Sequence, residues 1–224
     1  LRAQIRSLSM ARRNATDGVS MLQSAEGALN EVHGMLMRMR ELSVQSANGT
    51  LGNGERDLLN DEFVALKNEI DRLASTTEFN GQDLLDANTT INLQVGIHSG
   101  SNYTLEVALQ SSHVSALAAS GGLSTATIST TAMSQSSLSI IDEAITKVSE
   151  LRGAFGAIQN RLTVAMDTLA VAEENLTAAE SRVRDADIAA ETANMTRGQI
   201  LMQAGVSVLA QANQLPSIAM NLIG

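Results

Sequence analysis

Apolar residues recur with a period of seven along the opening stretch of the chain. Leu1, Leu8, Ala15, Leu22, Leu29 and Leu36 share one heptad position, and Ile5, Val19, Val32 and Met39 widen the stripe. Such a repeat specifies a helix that wraps on a partner through a narrow seam. It lasts until Asn48-Gly49, a helix stop signal. A helix through Ala47 is about 70 Å long at ~1.5 Å per residue. After a short polar loop at Gly52-Asn53-Gly54, a second helix is predicted from about Glu55 to Ser75. It carries Leu58, Leu59, Phe63, Leu66, Ile70 and Leu73 at helical spacing.

Phe79-Asn80-Gly81 reads as a turn, after which the period changes to two. Ile91, Leu93, Val95 and Ile97 alternate with polar residues, and so do Tyr103, Leu105, Val107 and Leu109. With His98-Ser99-Gly100-Ser101-Asn102 between them, they predict a β-hairpin over about 89–109. From 111 to 137 the chain is uncharged apart from His113 and rich in Ser, Ala, Thr and Gly. This stretch is expected to be a loosely structured connector, a place where an outer domain could be inserted.

The seven-residue repeat then returns. Ile141, Val148, Phe155, Leu162, Leu169, Leu176, Val183 and Ala190 run without a miss. Ala144, Leu151, Ile158, Ala165, Ala172, Ala179, Ala186 and Ala193 keep a parallel row, whose small side chains allow close approach of helix axes. The order is helix, helix, hairpin, connector, helix. The fold predicted is mainly α: a long antiparallel helical rod, packed like a coiled coil, with a small β-hairpin region.

The last stretch is chemically different. From Gly198 to Gly224 there is no charged residue, and Gln199, Gln203, Ser207, Gln211 and Gln214 form a polar stripe. A membrane span needs about 20 mostly apolar residues, and a lipid-exposed helix would have to bury these amides at a cost of a few kcal/mol each. No membrane span is expected. Ile200, Leu201, Val208, Leu209 and Leu215 stand out among the apolar residues of this segment, and the internal seam is already matched elsewhere. A helix with few charges on any face belongs inside an assembly. These residues are therefore expected to be buried against other copies of the chain.

Composition narrows the chemistry further. The 224 residues contain no Cys, no Trp, one Pro and 2% aromatic residues. Without Cys there is no disulfide, no thiolate metal site and no thiol nucleophile. His33, His98 and His113 lie far apart and lack ligand spacing, so no metal site is expected. A net charge of -9 argues against nucleic acid as a partner. Glu173-Glu174 and Asp185-Ala186-Asp187 read as solvated helix faces, and the ten Met residues as core filler. There is no His-Glu-x-x-His, nucleophile–base pair or phosphate loop. Neither catalysis nor a cofactor is expected.

Both ends carry longer matches. Ala11-Arg12-Arg13-Asn14-Ala15-Thr16-Asp17-Gly18-Val19-Ser20, Glu26-Gly27-Ala28-Leu29, Met39-Arg40-Glu41-Leu42-Ser43-Val44-Gln45-Ser46-Ala47-Asn48-Gly49-Thr50 and Glu78-Phe79-Asn80-Gly81 resemble the early conserved stretch of bacterial flagellins. Ala186-Asp187-Ile188-Ala189-Ala190-Glu191, Gln199-Ile200-Leu201 and Val208-Leu209-Ala210-Gln211-Ala212-Asn213-Gln214 resemble the C-terminus of that family. The resemblance covers most of 8–109 and 138–224.

It implies a structural subunit that polymerises into the extracellular flagellar filament for motility. The implied division is a rod domain over 1–178 and a C-terminal core-domain helix over 179–224. The chain opens on Leu1 inside what reads as a helix, so a fragment lacking the N-terminal partner of that core helix is expected. The implied partners are further copies of the chain, a flagellar export chaperone, a cap protein and the flagellin-sensing Toll-like receptor. The hook–filament junction protein, which shares the terminal helices, is the alternative.

Receptor-active flagellins carry Arg-x-x-Glu-Leu on the first long helix and a Glu on the second. Arg38, Glu41, Leu42 and Glu62 match, with Met37 where Gln is common. By this resemblance Arg38, Glu41, Leu42, Gln45 and Glu62 form the face for the receptor and for protofilament contact. Their spacing of three and four predicts a charged pair beside an apolar knob on one helix face.

Overall fold

The structure, a computed structural model, describes residues 1–86, 88–118, 122–184 and 188–223, with the backbone alone described for 214–223. The elements run α1 (Arg2–Ser46), α2 (Asn53–Thr76), β1 (Glu78–Phe79), β2 (Gln82–Asp83), β3 (Thr89–Gln94), β4 (Thr104–Leu109), α3 (Thr131–Arg184) and α4 (Ile188–Ile223). They fall into two compact units, Leu1–Leu176 and Thr177–Gly224. The mainly helical fold follows from the heptads.

In the first unit the seam is explicit. Along α1, Leu8, Ala11, Ala15, Gly18, Leu22, Ala25, Leu29, Val32, Leu36, Met39, Ser43 and Ser46 are buried, alternately three and four residues apart. Along α3, Ser134, Ser137, Ile141, Ala144, Val148, Leu151 and Phe155 keep the same alternation, followed by Leu162 and Leu169. That spacing holds one stripe of each helix on the other. The pairing is antiparallel, because polar cross-links ascend one helix as they descend the other. Arg12 meets Glu173 at 3.6 Å, Gln159 Nε2 donates to Glu26 at 2.9 Å, and Arg40 meets Asp142 at 2.7 Å.

At the far end of the seam, hydroxyls replace apolar residues. Ser46 donates to the Ile128 carbonyl at 2.5 Å and accepts from Ser134 at 3.0 Å, while Ser137 donates to the Thr127 carbonyl at 2.8 Å. Small polar side chains there let the chain entering α3 lie directly on the helix pair.

The second helix adds Phe63, Ile70 and Ala74 to the same core, with Leu59, Leu66 and Leu73 partly buried against it. Leu58 departs from the expected stripe: it is 72% exposed. It stands outside the alternation of three and four that runs through 59, 63, 66, 70 and 73.

The turn between α1 and α2 is tied by a buried arginine. Arg56 donates from Nε to the Ser46 carbonyl and from Nη2 to the Asn48 carbonyl, both at 2.9 Å, and from Nη1 to Asn53 Oδ1 at 3.4 Å. The last carbonyls of a helix lack internal partners, and this guanidinium reaches the one at Ser46 and the one just beyond the helix at Asn48.

The expected turn at Asn80-Gly81 closes a minimal hairpin between β1 and β2, with φ of 52° and 76° at the two residues. Left-handed conformation at both positions suits Asn-Gly. Strands β3 and β4 pair antiparallel with Ile91 opposite Val107 and Leu93 opposite Leu105, as the alternation predicts. Leu105, Val107 and Leu109 are buried. Leu93 reaches α1 at Gly18, where a Cβ would stand 2.5 Å from Leu93 Cδ1. That glycine makes room for the hairpin and for Leu162 together.

The described part of the connector is not loose, in contrast to the expectation; residues 119–121 lie outside the described residues. Val114, Leu117, Leu123, Ala126 and Ile128 are buried in the common core. Lys67 Nζ donates to the Ser124 and Ala126 carbonyls at 3.1 and 2.9 Å, and the Ile128 amide donates to Asn60 Oδ1 at 3.0 Å. Its apolar residues have no regular period, so their burial left no pattern to read. Helix α3 also starts at Thr131, inside the stretch expected to be connector.

Two substitutions test this packing by urea unfolding. Arg56→Met removes charged donors from the Ser46 and Asn48 carbonyls and is expected to cost about 2 kcal/mol. Gly18→Val drives a branched side chain into Leu93 and Leu162 and is expected to cost about 1–3 kcal/mol.

Candidate functional site

The residues singled out as a contact face divide between surface and core. Arg38 lies on the outside of α1 and holds two carboxylates. Its Nε donates to Glu62 of α2 at 2.8 Å and its Nη1 to Glu41 at 3.0 Å. The bond to Glu62, and then that to Glu41, raise the pKa of Arg38 above its ordinary value. All three side chains are open to solvent, so their charges remain available to a partner.

Leu42 does not join that face: it is fully buried. It follows the buried Met39 by three positions and adjoins the buried Ser43, which places it on the inward side of α1. The expected apolar knob at this position is thus part of the core. The exposed apolar surface beside the charges comes instead from Met37 and Val44, 44% and 52% exposed, with Gln45 also exposed. On α2 the exposed Leu58 lies one turn before Glu62, on the same side of that helix. Sequence reasoning missed Leu58 and Val44 as surface residues, although their positions off the packing rows signalled it.

The second surface is α4. Ile200, Leu201, Val208 and Leu209 are each 59–66% exposed. Met195, Met202 and Val206 are exposed as well. Burying one large aliphatic side chain gains roughly 1.5–3 kcal/mol, so this helix carries a strong drive to associate. The side chain of Leu215 lies outside the described residues. No helix among the described residues is long and apolar enough to cross a membrane.

Glu173 pairs with Arg12, and Asp185-Ala186-Asp187 lies outside the described residues. His33 is half-buried on α1, and His98 stands edge-on to Tyr103 with ring centroids 5.1 Å apart. Among the described residues, no group of three or more His, Asp or Glu is placed to hold a metal ion.

Comparison with known proteins agrees with this architecture. Residues 1–90 match the family model of the bacterial flagellin N-terminal helical region, and residues 138–223 that of the bacterial flagellin C-terminal helical region. The chain is 47% identical to a flagellin of Halalkalibacterium halodurans over 224 residues, covering all of this chain and 81% of that one. It is 38% identical to the flagellar filament 33 kDa core protein of Treponema phagedenis, covering all of this chain and 82% of the relative. The crystal structure of Bacillus cereus flagellin superposes with a TM-score of 0.60 at 31% identity, over 70% of this chain and 88% of that one.

The exposed Arg38 cluster and the buried Arg56 make a paired test of surface against core. Arg38→Ala is expected to leave the urea midpoint almost unchanged, because solvent screens exposed ion pairs. Arg56→Met, measured in parallel, should move it clearly.

Proposed function

The chain belongs to the bacterial flagellin family, and from that premise we propose how its two exposed surfaces are used. The chain is a structural subunit of the extracellular flagellar filament, not an enzyme, and polymerises with copies of itself. In our reading the apolar residues of α4 are the adhesive element. Ile200, Leu201, Val208 and Leu209 enter the filament interior with Leu215, each contacting a neighbouring copy. Their exposure in the isolated chain is the observation that carries this reading. Contacts between unlike patches of identical subunits do not close on themselves, and so they propagate. The export chaperone and the cap protein are assigned to the same terminal segment, which cannot travel uncovered without sticking.

The face around Arg38 is the second contact. Arg38, Glu41, Gln45 and Glu62 offer charges and an amide, and Met37, Val44 and Leu58 offer apolar area beside them. We assign this face to subunit contact along a protofilament and to the flagellin-sensing Toll-like receptor. Leu42 serves it from beneath by holding α1 in the core.

Two measurements test these assignments. Leu201→Asp combined with Leu209→Asp should lower elongation on filament seeds at least about tenfold, a loss of only ~1.4 kcal/mol. Circular dichroism melting of the Leu1–Leu176 unit should stay as in the parent chain. Arg38→Ala with Glu62→Gln should weaken receptor signalling in reporter cells about tenfold while seeded growth persists. Unchanged signalling would remove the receptor assignment.

A further inference from the structure

The one histidine of the connector sits between two carboxylates from different parts of the fold. His113 Nδ1 lies 3.0 Å from Asp71 Oδ1 on α2, and its Nε2 lies 2.6 Å from Asp86 Oδ1 in the segment after β2. The next amide, of Val114, donates to the same Asp71 oxygen at 2.8 Å. Three segments distant in sequence thus meet on one imidazole, whose side chain is only 23% exposed. Immediately beyond it the connector inserts Val114 and Leu117 into the core.

A neutral imidazole donates through only one ring nitrogen and presents a lone pair on the other. Two carboxylate partners can both be satisfied only by imidazolium. We propose that His113 is a pH-operated latch that fastens the connector onto α2 and the β2–β3 segment while protonated and loosens it in alkaline solution. The groups facing the ring are Asp71 from α2 and Asp86 from the segment after β2. Lys67, one turn before Asp71, feels the charge of that carboxylate and is itself bound to connector carbonyls. The connector contributes no other charge between 111 and 130.

The direction of the pH dependence follows. The bond to Asp86, the largest cause, raises the His113 pKa above its ordinary value of 6.5; burial, next in size, opposes it, and the bond and charge of Asp71 add to the rise. A group whose folded pKa is raised contributes stability that is complete below its unfolded value and is lost as pH rises through the folded one. The latch therefore holds in mildly acidic solution and loosens as pH rises through the folded pKa, which lies above the ordinary 6.5.

The test is an NMR titration of the imidazole resonances in the full chain, with amide exchange at Val114 and Leu123 followed across the same range. The His113 midpoint should lie above 6.5, and Asp86→Asn should bring it down. Through the midpoint, protection at Val114 should fall about fivefold beyond the ordinary base-catalysed increase, the equivalent of one net hydrogen bond. Protection at Ala25, deep in the α1 seam, should follow base catalysis alone. His113→Gln should abolish the extra loss at Val114. If that variant fails to fold, the titration of the parent chain and of Asp86→Asn still decides. A midpoint at or below 6.5, or Val114 protection that tracks Ala25 at every pH, would overturn the proposal.

Discussion

The antiparallel seam between α1 and α3 is the constraint on which the first unit depends. Its positions alternate three and four apart on both helices, and many are Ala, Gly or Ser. Small residues at these positions leave room on the pair for the elements laid on it. Gly18 shows the consequence: with hydrogen in place of Cβ, Leu93 of β3 can rest on α1 where Leu162 of α3 also arrives. The hairpin is seated by the seam rather than by its own two strands, which would be marginal in isolation. Helix α2 and the connector then cover what the pair leaves open, through Phe63, Ile70, Leu123 and Ile128.

The seam also explains which parts of the fold were legible in the chain. Heptads survive reading because their period is local: each residue's partner row lies three or four positions away. Strand alternation from Ile91 to Leu109 was legible for the same reason, and it matches the observed register. The connector was not, because Val114, Leu117, Leu123, Ala126 and Ile128 follow no period. Their burial depends on a surface built by other elements. Arg56 and His113 were hidden similarly. Each satisfies groups whose position exists only after folding, namely the end of α1 and a pair of carboxylates from separate segments.

At the contact face the difficulty was different in kind. Of the residues that the family motif named, Arg38 pairs with both Glu41 and Glu62. The motif also attached Leu42 as a surface knob, although the inward side of α1 already required that position. Periodicity and motif made competing claims on one residue, and burial of an aliphatic side chain outweighs its display to water by roughly 1.5–3 kcal/mol. The apolar share of the face fell to Met37 and Val44, which no packing row needed.

The two units answer the same physical demand by different means. In Leu1–Leu176 nearly every large aliphatic residue on a packing row finds its complement within the unit, and most charges other than that of the buried Arg56 lie outside. In Thr177–Gly224 the described aliphatic residues of α4 remain in water. A helix that is apolar on several faces is stable only where something surrounds it. Under the proposed assignment this division suits a filament subunit, because the part that keeps its shape before assembly is self-sufficient and the part assigned to joining subunits would be completed by its neighbours. Had the Ile200 and Leu209 region carried its own cover, the free energy gained on joining a neighbour would first have to displace that cover, and growth would be the weaker for it.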